Sequence, residues 1–204
     1  MLTRLLLVRH GQSEDNVHGR LAGVTDSRLT PLGIEQAGRM ARFVTNTYRV
    51  STLYASPLTR TRQTAEFVAE LAGVPIGLRE DLRELHFGDA EGLTLPEVAA
   101  RFPNEWQRSQ DEDDLDFCFP GGEPRRTFHD RIRRALGDLI RSHPGQTVAV
   151  VSHGGVLSSL LADLAEGKPQ RWRSYYADNC ALSELVLDDG TLQIVRRNVS
   201  EFLK

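Results

Sequence analysis

The sequence has few of the features that mark secreted, membrane-bound or nucleic-acid-binding proteins. Of its 204 residues only Cys118 and Cys180 are cysteine, so no disulfide framework is predicted and a reducing, cytoplasmic location is expected. The 25 basic residues are outnumbered by 28 acidic ones, and this net charge of -3 predicts no nucleic-acid partner and no membrane-surface partner. The apolar run at 5–8 is too short for a signal peptide or a membrane span. The oligomeric state stays open.

What the sequence does contain is an alternation of short apolar strands with amphipathic helices. Strands are predicted at 5–8, 52–56 and 147–152, and two further strands flank a turn at Asp189 and Gly190. This alternation predicts an α/β fold, a three-layer sandwich with a mostly parallel, doubly wound sheet and an antiparallel edge. Helices are predicted over 31–44, 57–72, 95–102, 126–143 and 156–165.

The first long helix has a clear start and a clear apolar face. Thr30 is placed to cap it, and Pro31 occupies its first turn. Apolar residues at helical spacing predict its buried face: Ile34, Ala37, Met40, Ala41 and Val44.

The chain is predicted to form a single domain, 1–204, with a cap excursion at roughly 86–123. The weakest core pattern lies at 103–123, which is expected to run over the surface. Its acidic stretch, 111–116, is expected to be a solvated face, as is the pair Arg125 and Arg126 that follows.

Two predicted strands end in the same way, with a histidine and a glycine. The run "LLLVRHG" delivers His10 and the run "VAVVSHGG" delivers His153. Because ligands bind beyond the carboxyl ends of strands in open α/β sheets, neighbouring strands would bring both imidazoles to one crevice. The helix that begins at Gly154 would point its free backbone N–H groups to the same place, which favours an anion.

Three interpretations of this histidine pair are open. Two unrelated loop histidines would be the plainest, but the matching strand ends argue against it. A metal site is the second, but the guanidinium of Arg9 beside the first imidazole would repel a divalent cation. The third is an anion site with a nucleophile, because arginine matches phosphate oxygens and histidine is a known covalent nucleophile.

Four ordered blocks of sequence resemble the histidine phosphatase superfamily, the phosphoglycerate mutase-like enzymes. These blocks are "RHGQSEDN", "ASPLTRTRQTAEFV", "LRELHFGDAEG" and "VVSHGG", and the resemblance covers nearly the whole chain. It implies that His10 is the nucleophile that becomes phosphorylated and that Glu84 is the general acid. It also implies that the activity needs no metal ion and no organic cofactor.

The same resemblance implies the remaining site residues. Further phosphate contacts are expected from Arg9, Asn16, Arg60, His153 and Gly154. Substrate contacts are expected from Ser13, Ala22, Gly23 and Phe87, and the aromatic residues Phe87, Phe102, Trp106, Phe117 and Phe119 could line an apolar cap or form ordinary core.

The segment after Glu84 separates the branches of this family. It is short, as in the phosphatase branch, whereas the mutases carry a longer insertion with paired arginines. Ala90 and Pro124 depart from the residues that many relatives have there, which leaves the substrate open. The sequence therefore predicts a phosphomonoesterase acting through phosphohistidine on a small phosphorylated metabolite. A phosphoglycerate mutase and a non-catalytic phospho-ligand-binding module are the alternatives.

Overall fold

The computed structural model describes residues 2–204, and within them six strands form one mixed sheet with the order β3-β2-β4-β1-β5-β6. The four strands β1 to β4 run parallel to one another, and β5 and β6 add an antiparallel edge. The α/β prediction is therefore confirmed. The strands are β1 (Thr3–Arg9), β2 (Thr52–Ala55), β3 (Ile76–Leu78), β4 (Thr147–Ser152), β5 (Leu182–Asp188) and β6 (Thr191–Val199).

Helices cover both faces of the sheet. On one face α2 and α3 pack over an apolar cluster, and on the other α6 and α7 pack over a second cluster. The helices are α1 (Glu14–Val17), α2 (Pro31–Thr47), α3 (Thr59–Ala72), α4 (Leu95–Arg101), α5 (Pro103–Ser109), α6 (Arg125–Ser142) and α7 (Gly154–Glu166). Short 3-10 turns lie at Glu80–Leu82, Gly88–Ala90, Pro169–Tyr175 and Glu201–Leu203. Among the helices within residues 2–204, none has the length and apolar character that a bilayer span requires.

Strand β1 illustrates how the sequence produces these two layers. Successive side chains of a strand point to opposite faces, so Leu5 and Leu7 enter the cluster under α6 and α7. Leu6 and Val8 enter the cluster under α2 and α3. Both faces are covered, which is why this strand reads as a continuous apolar run.

The start of α2 confirms its predicted cap but corrects its predicted face. Thr30 accepts a 3.0 Å hydrogen bond from the N–H of Gly33. Ile34, however, is 46% exposed. The first turn of the helix packs through Gly33, where an added Cβ would lie 2.1 Å from the Gln12 carbonyl oxygen. Because Gly33 faces the protein, the next residue, Ile34, points to solvent.

The excursion at 103–123 is more ordered than the sequence suggested. It begins with the helix α5, and its Phe117 and Phe119 are buried with Ala90 and Val98 in a third apolar cluster. We call residues 86–123 the cap. The weak core pattern of 103–123 has a physical reason: its aromatic residues are spaced irregularly and are buried against α4 rather than against the sheet.

Candidate active site

The two strand ends meet as the sequence predicted. β1 and β4 are parallel neighbours with Arg9 opposite Ser152 in the register. The His10 and His153 rings that follow lie edge to face, with 5.3 Å between their centroids. Gly11 comes next because the chain turns tightly past the start of α2, and an added Cβ would lie 2.5 Å from the carbonyl oxygen of Gly33.

One ring nitrogen of His10 is hydrogen-bonded to the backbone, which fixes the orientation of the imidazole. Its Nδ1 lies 2.7 Å from the carbonyl oxygen of Gly11, and a carbonyl can only accept, so this nitrogen carries the proton. That assignment leaves Nε2 as the nitrogen with a free lone pair. Burial, followed by the guanidinium charges of Arg60 and Arg9, lowers the pKa of His10 well below 6.5. The ring is therefore neutral at physiological pH.

His153 lies behind His10 and does not line the cavity itself. It is fully buried, and its Nε2 lies 2.8 Å from the Oγ of Ser56. Its Nδ1 is buried without a hydrogen-bond partner among the described residues. Burial, with smaller contributions from the charges of Arg60 and His10, lowers the pKa of this imidazole well below 6.5.

Arg9 and Arg60 bring two guanidinium groups to the same place. Arg9 donates to the hydroxyl of Tyr176 at 2.6 Å and to the carbonyl of Ala177 at 2.7 Å. Arg60 donates to the carbonyl oxygens of Thr25 and Gly23 at 2.9 and 2.7 Å. In both side chains Nε is buried and has no partner within residues 2–204.

Arg60 is far from being a solvated helix residue. It is 1% exposed, although it belongs to the first turn of α3. Burial lowers the pKa of its guanidinium, and the carboxylates of Glu84, Asp15 and Asp26 offset part of that effect. A buried cation at this position needs anionic partners, and phosphate is one that it can bind with two parallel hydrogen bonds.

Glu84 lies at the N-terminus of α7. Its Oε2 accepts a 2.8 Å hydrogen bond from the N–H of Gly155, and its Oε1 accepts one of 3.0 Å from the N–H of Leu85. A Cβ on residue 155 would lie 2.5 Å from Glu84 Oε1, so the glycine makes room for the carboxylate. Gly154 lies against Arg9, whose Nε would be 3.3 Å from an added Cβ there.

One cavity of about 690 Å³ joins these groups. Ser13 and His153 are not among its lining residues. Ser13 is fully buried at the start of α1, where it orders the turn rather than facing the cavity, and this corrects the expectation of a substrate contact. The predicted residues that do line the cavity are Arg9, His10, Asn16, Ala22, Gly23, Arg60, Glu84, Phe87 and Gly154.

Asn16 is held in place by a residue that the sequence did not single out. Its Oδ1 accepts hydrogen bonds from the N–H of Ser13 and from the Nδ2 of Asn179, both 3.1 Å long. Asn179 also donates to the carbonyl oxygen of His10 at 3.0 Å. Asn179 and Tyr176 precede β5 and stand far along the chain from the motifs that mark the site, so no local signal could have found them.

The cap forms the outer wall of the cavity. Phe87, Trp106, Phe117 and Phe119 line it, whereas Phe102 packs against the third apolar cluster without lining it. The aromatic residues of the cap are thus both wall and core.

The acidic stretch forms the predicted solvated face only in part, since Asp111, Asp113 and Asp116 are exposed whereas Glu112 is not. Glu112 lines the cavity and accepts hydrogen bonds from Arg171, at 3.0 Å, and from Arg173. Arg125 also lines the cavity, with its guanidinium 4.7 Å from the Phe117 ring centroid. Arg126 fits the prediction, since it is exposed and pairs with the exposed Asp116.

Within residues 2–204 no three histidine, cysteine, aspartate or glutamate side chains are grouped so that they could hold a metal ion.

The chain is similar in sequence and in fold to known proteins. The family model of the histidine phosphatase superfamily (branch 1) matches residues 5–200. The chain is 34% identical over 167 residues to the metal-independent phosphoserine phosphatase of Arabidopsis thaliana, covering 81% of this chain and 70% of the relative. It is 28% identical to the uncharacterized phosphatase PhoE of Bacillus subtilis, covering 99% and 97% of the two chains. The crystal structure of the alpha-ribazole phosphatase from Shigella flexneri superposes with a TM-score of 0.88 at 26% identity, over 97% of this chain and 96% of that chain.

Proposed function

The chain belongs to the histidine phosphatase superfamily, branch 1, and from this premise we propose that it hydrolyses small phosphomonoesters through a phosphohistidine formed on His10. It is a phosphatase of the metal-independent histidine type, and the phosphoserine phosphatase of Arabidopsis thaliana that it resembles is metal-independent. Beyond this family membership, we propose the roles of the individual residues and the covalent intermediate. We also propose that water, rather than a second alcohol, accepts the phosphoryl group. A cytoplasmic location, compatible with the free thiols of Cys118 and Cys180, is part of the same proposal.

The observation that carries the proposal is the state of His10. Its Nδ1 is engaged by the Gly11 carbonyl, its Nε2 is free, and the ring lies in the cavity with Arg9 and Arg60. A neutral imidazole with a fixed tautomer is the form that can attack phosphorus. Two guanidinium groups beside it supply donors for the phosphoryl oxygens.

The first half-reaction transfers the phosphoryl group to the protein. His10 Nε2 attacks phosphorus in line with the ester oxygen, the phosphorus–oxygen bond to the alcohol breaks, and Glu84 gives its proton to the departing oxygen. Arg9 and Arg60 balance the charge on the phosphoryl oxygens throughout. The buried His153 supports the site from behind through its contact with His10.

The second half-reaction returns the protein to its starting state. Glu84, now ionised, takes a proton from a water molecule, whose oxygen attacks the phosphorus of phosphohistidine. The phosphorus–nitrogen bond breaks and inorganic phosphate leaves. The N–H groups of Gly155 and Leu85 hold the carboxylate in place for this step.

The proposal is tested by incubating the purified protein with a panel of phosphomonoesters that includes p-nitrophenyl phosphate and 3-phosphoglycerate. Release of inorganic phosphate by the wild type, and none by His10→Ala with an unchanged circular dichroism spectrum, is the expected result. A mutase would instead convert 3-phosphoglycerate to its 2-isomer after priming with bisphosphoglycerate and release little phosphate. A binding module would retain phosphate compounds and turn over none of them.

A further inference from the structure

The cavity extends well beyond the phosphate site, under the cap. Its volume of about 690 Å³ falls in the range that holds a whole organic ligand. Trp106 and Phe117 line this outer part, and α6 and α7 supply polar residues to it. The cavity therefore has room for the alcohol part of a phosphate ester.

His129 and Ser159 are the buried polar residues that α6 and α7 place in this outer part. Both line the cavity, and they are 6% and 1% exposed. The Nδ1 of His129 is buried and has no hydrogen-bond partner among residues 2–204. A buried polar group without a partner is unfavourable, so a ligand group that pairs with it recovers a favourable contact.

The helix α7 sets the distance between the two parts of the cavity. Ser159 lies four residues after Gly155, which puts both on one face of the helix, about 6 Å apart along its axis. Gly155 binds the carboxylate of Glu84 and thereby marks the reacting end. A substrate group that reaches Ser159 is thus about one helical turn away from the leaving oxygen.

The guanidinium N–H donors around His129 and Ser159 are already engaged, in Arg173 by a carboxylate and in Arg125 by neutral backbone carbonyl oxygens. Arg173 is bound to Glu112, and Arg125 donates to the backbone carbonyl oxygens of Ser109, Asp111 and Asp114. Another cation of the lining, Arg20, is exposed and belongs to the loop after α1.

The imidazole itself adds no positive charge. Burial, with the nearby charges of Arg125 and Arg133, lowers the pKa of His129 to about 4. Asp163 and Asp130 act in the opposite direction. A neutral imidazole donates through one nitrogen and accepts through the other, which suits an uncharged hydroxyl, amide or ring nitrogen.

We infer that His129 and Ser159 form a second subsite, walled by Trp106 and Phe117, which binds an uncharged, ring-bearing alcohol. The substrates are then phosphate esters of sugars or nucleoside-like alcohols rather than phosphate esters of hydroxy or amino acids. This inference rests on the proposed function, because it concerns the leaving group of the same reaction.

The experiment compares kcat/KM for uridine 5′-monophosphate, ethyl phosphate, O-phosphoserine and 3-phosphoglycerate. Uridine 5′-monophosphate carries an uncharged ring, ethyl phosphate is too short to reach Ser159, and the other two carry a carboxylate. We expect the nucleotide to be preferred over both carboxylates. In Ser159→Ala and His129→Leu the preference for the nucleotide over ethyl phosphate should fall about tenfold, the value of one hydrogen bond.

The neighbouring Ser158 provides the matched control. It is fully buried, its Oγ has no partner among the described residues, and it does not line the cavity. Ser158→Ala should therefore keep the wild-type preference, and His129→Gln should restore part of what His129→Leu loses.

The possible failures are distinguishable. A preference for either carboxylate ester, or Ser159→Ala and Ser158→Ala with the same substrate preference, would overturn the subsite while leaving the phosphatase in place. Absence of phosphate release from every ester, p-nitrophenyl phosphate included, would overturn the proposed function and the subsite with it.

Discussion

The carboxylate of Glu84 is joined to the backbone of Gly155 by a 2.8 Å hydrogen bond, and the missing side chain of that glycine gives the carboxylate its place. An alanine at this position would bring a Cβ within 2.5 Å of Glu84 Oε1, so the carboxylate would have to move. General acid–base catalysis depends on such positioning.

Gly155→Ala should therefore lower kcat for alkyl phosphate esters by roughly 10–100-fold, because a displaced Glu84 carboxyl group protonates the leaving oxygen less effectively. The loss should be smaller with p-nitrophenyl phosphate, whose leaving group needs little protonation. Gly137→Ala, a change in the interior of α6 at a residue outside the cavity lining, is the control. Equal losses in both variants, or none in Gly155→Ala, would contradict the role assigned to the glycine.

Glu84→Gln keeps the shape of the side chain and removes the exchangeable proton. Alkyl esters should slow by roughly 10²–10⁴-fold, the usual value of a general acid–base. The first step with p-nitrophenyl phosphate should slow much less, because its leaving group needs little protonation. Rapid mixing, which follows this first step, should therefore show a smaller effect of the substitution than steady-state assays, which include the second step. A uniform loss for all leaving groups in both assays would mean that Glu84 acts in binding rather than as an acid.

The buried state of His10 predicts an unusual pH dependence. Its pKa is lowered well below 6.5 by burial and by the two arginine charges, so the reactive neutral form persists as the pH falls through 6.5. After correction for the ionisation of the ester itself near pH ~6, kcat/KM should begin to fall only well below pH 6.5. Circular dichroism at each pH would show that the protein stays folded. A fall centred near 6.5 would contradict the environment described for this ring.

His129 predicts a pH dependence of stability. Its pKa is about 4 in the folded chain and 6.5 when it is unfolded, so below pH 6.5 the unfolded state takes up the proton more readily. The resulting stability is fully present above pH 6.5 and is lost as the pH falls towards 4, by about 2–3 kcal/mol.

Urea unfolding of His129→Gln tests this effect, because glutamine does not titrate. Between pH 6.5 and 4 the variant should lose less stability than the wild type, although His10 and His153 continue to contribute. Identical pH slopes in the two proteins would show that His129 is solvated.

Removal of metal ions gives a further test. The site uses arginine donors and an imidazole nucleophile, so excess EDTA should leave the rate of phosphate release unchanged. A rate that falls with EDTA and recovers with added zinc or magnesium would require a metal-dependent reaction instead.

The parts of the site that the sequence could predict are those encoded locally. The apolar run of β1 and the histidine that follows it belong to one continuous segment, and so do β4 and His153. Placing both histidines at one site then required only the general rule that ligands bind beyond the carboxyl ends of the strands in open α/β sheets. Arg60 and Glu84 needed the family resemblance, because an arginine in a first helical turn and a glutamate in a loop are ordinary surface residues elsewhere.

What the sequence could not predict depends on contacts between distant segments. Asn179 reaches Asn16 across 163 positions, and Ser56 reaches His153 across 97. Glu112 is largely shielded from solvent because it pairs with Arg171 and Arg173, which belong to the distant 3-10 turn Pro169–Tyr175. Spacing along the chain carries no signal for these contacts, since each depends on where the folded segments lie.

The covalent intermediate is the central claim, and it can be measured directly. Glu84→Gln is mixed with an aryl phosphate carrying a radioactive phosphoryl group, quenched rapidly in base, and digested for mass spectrometry. Without its general base the second half-reaction is slow, so the account predicts an acid-labile phosphoryl group on the imidazole of His10, absent from the His10→Ala, Glu84→Gln double variant. Rapid release of phosphate with no labelled protein at any time, or a label on a residue other than His10, would contradict it.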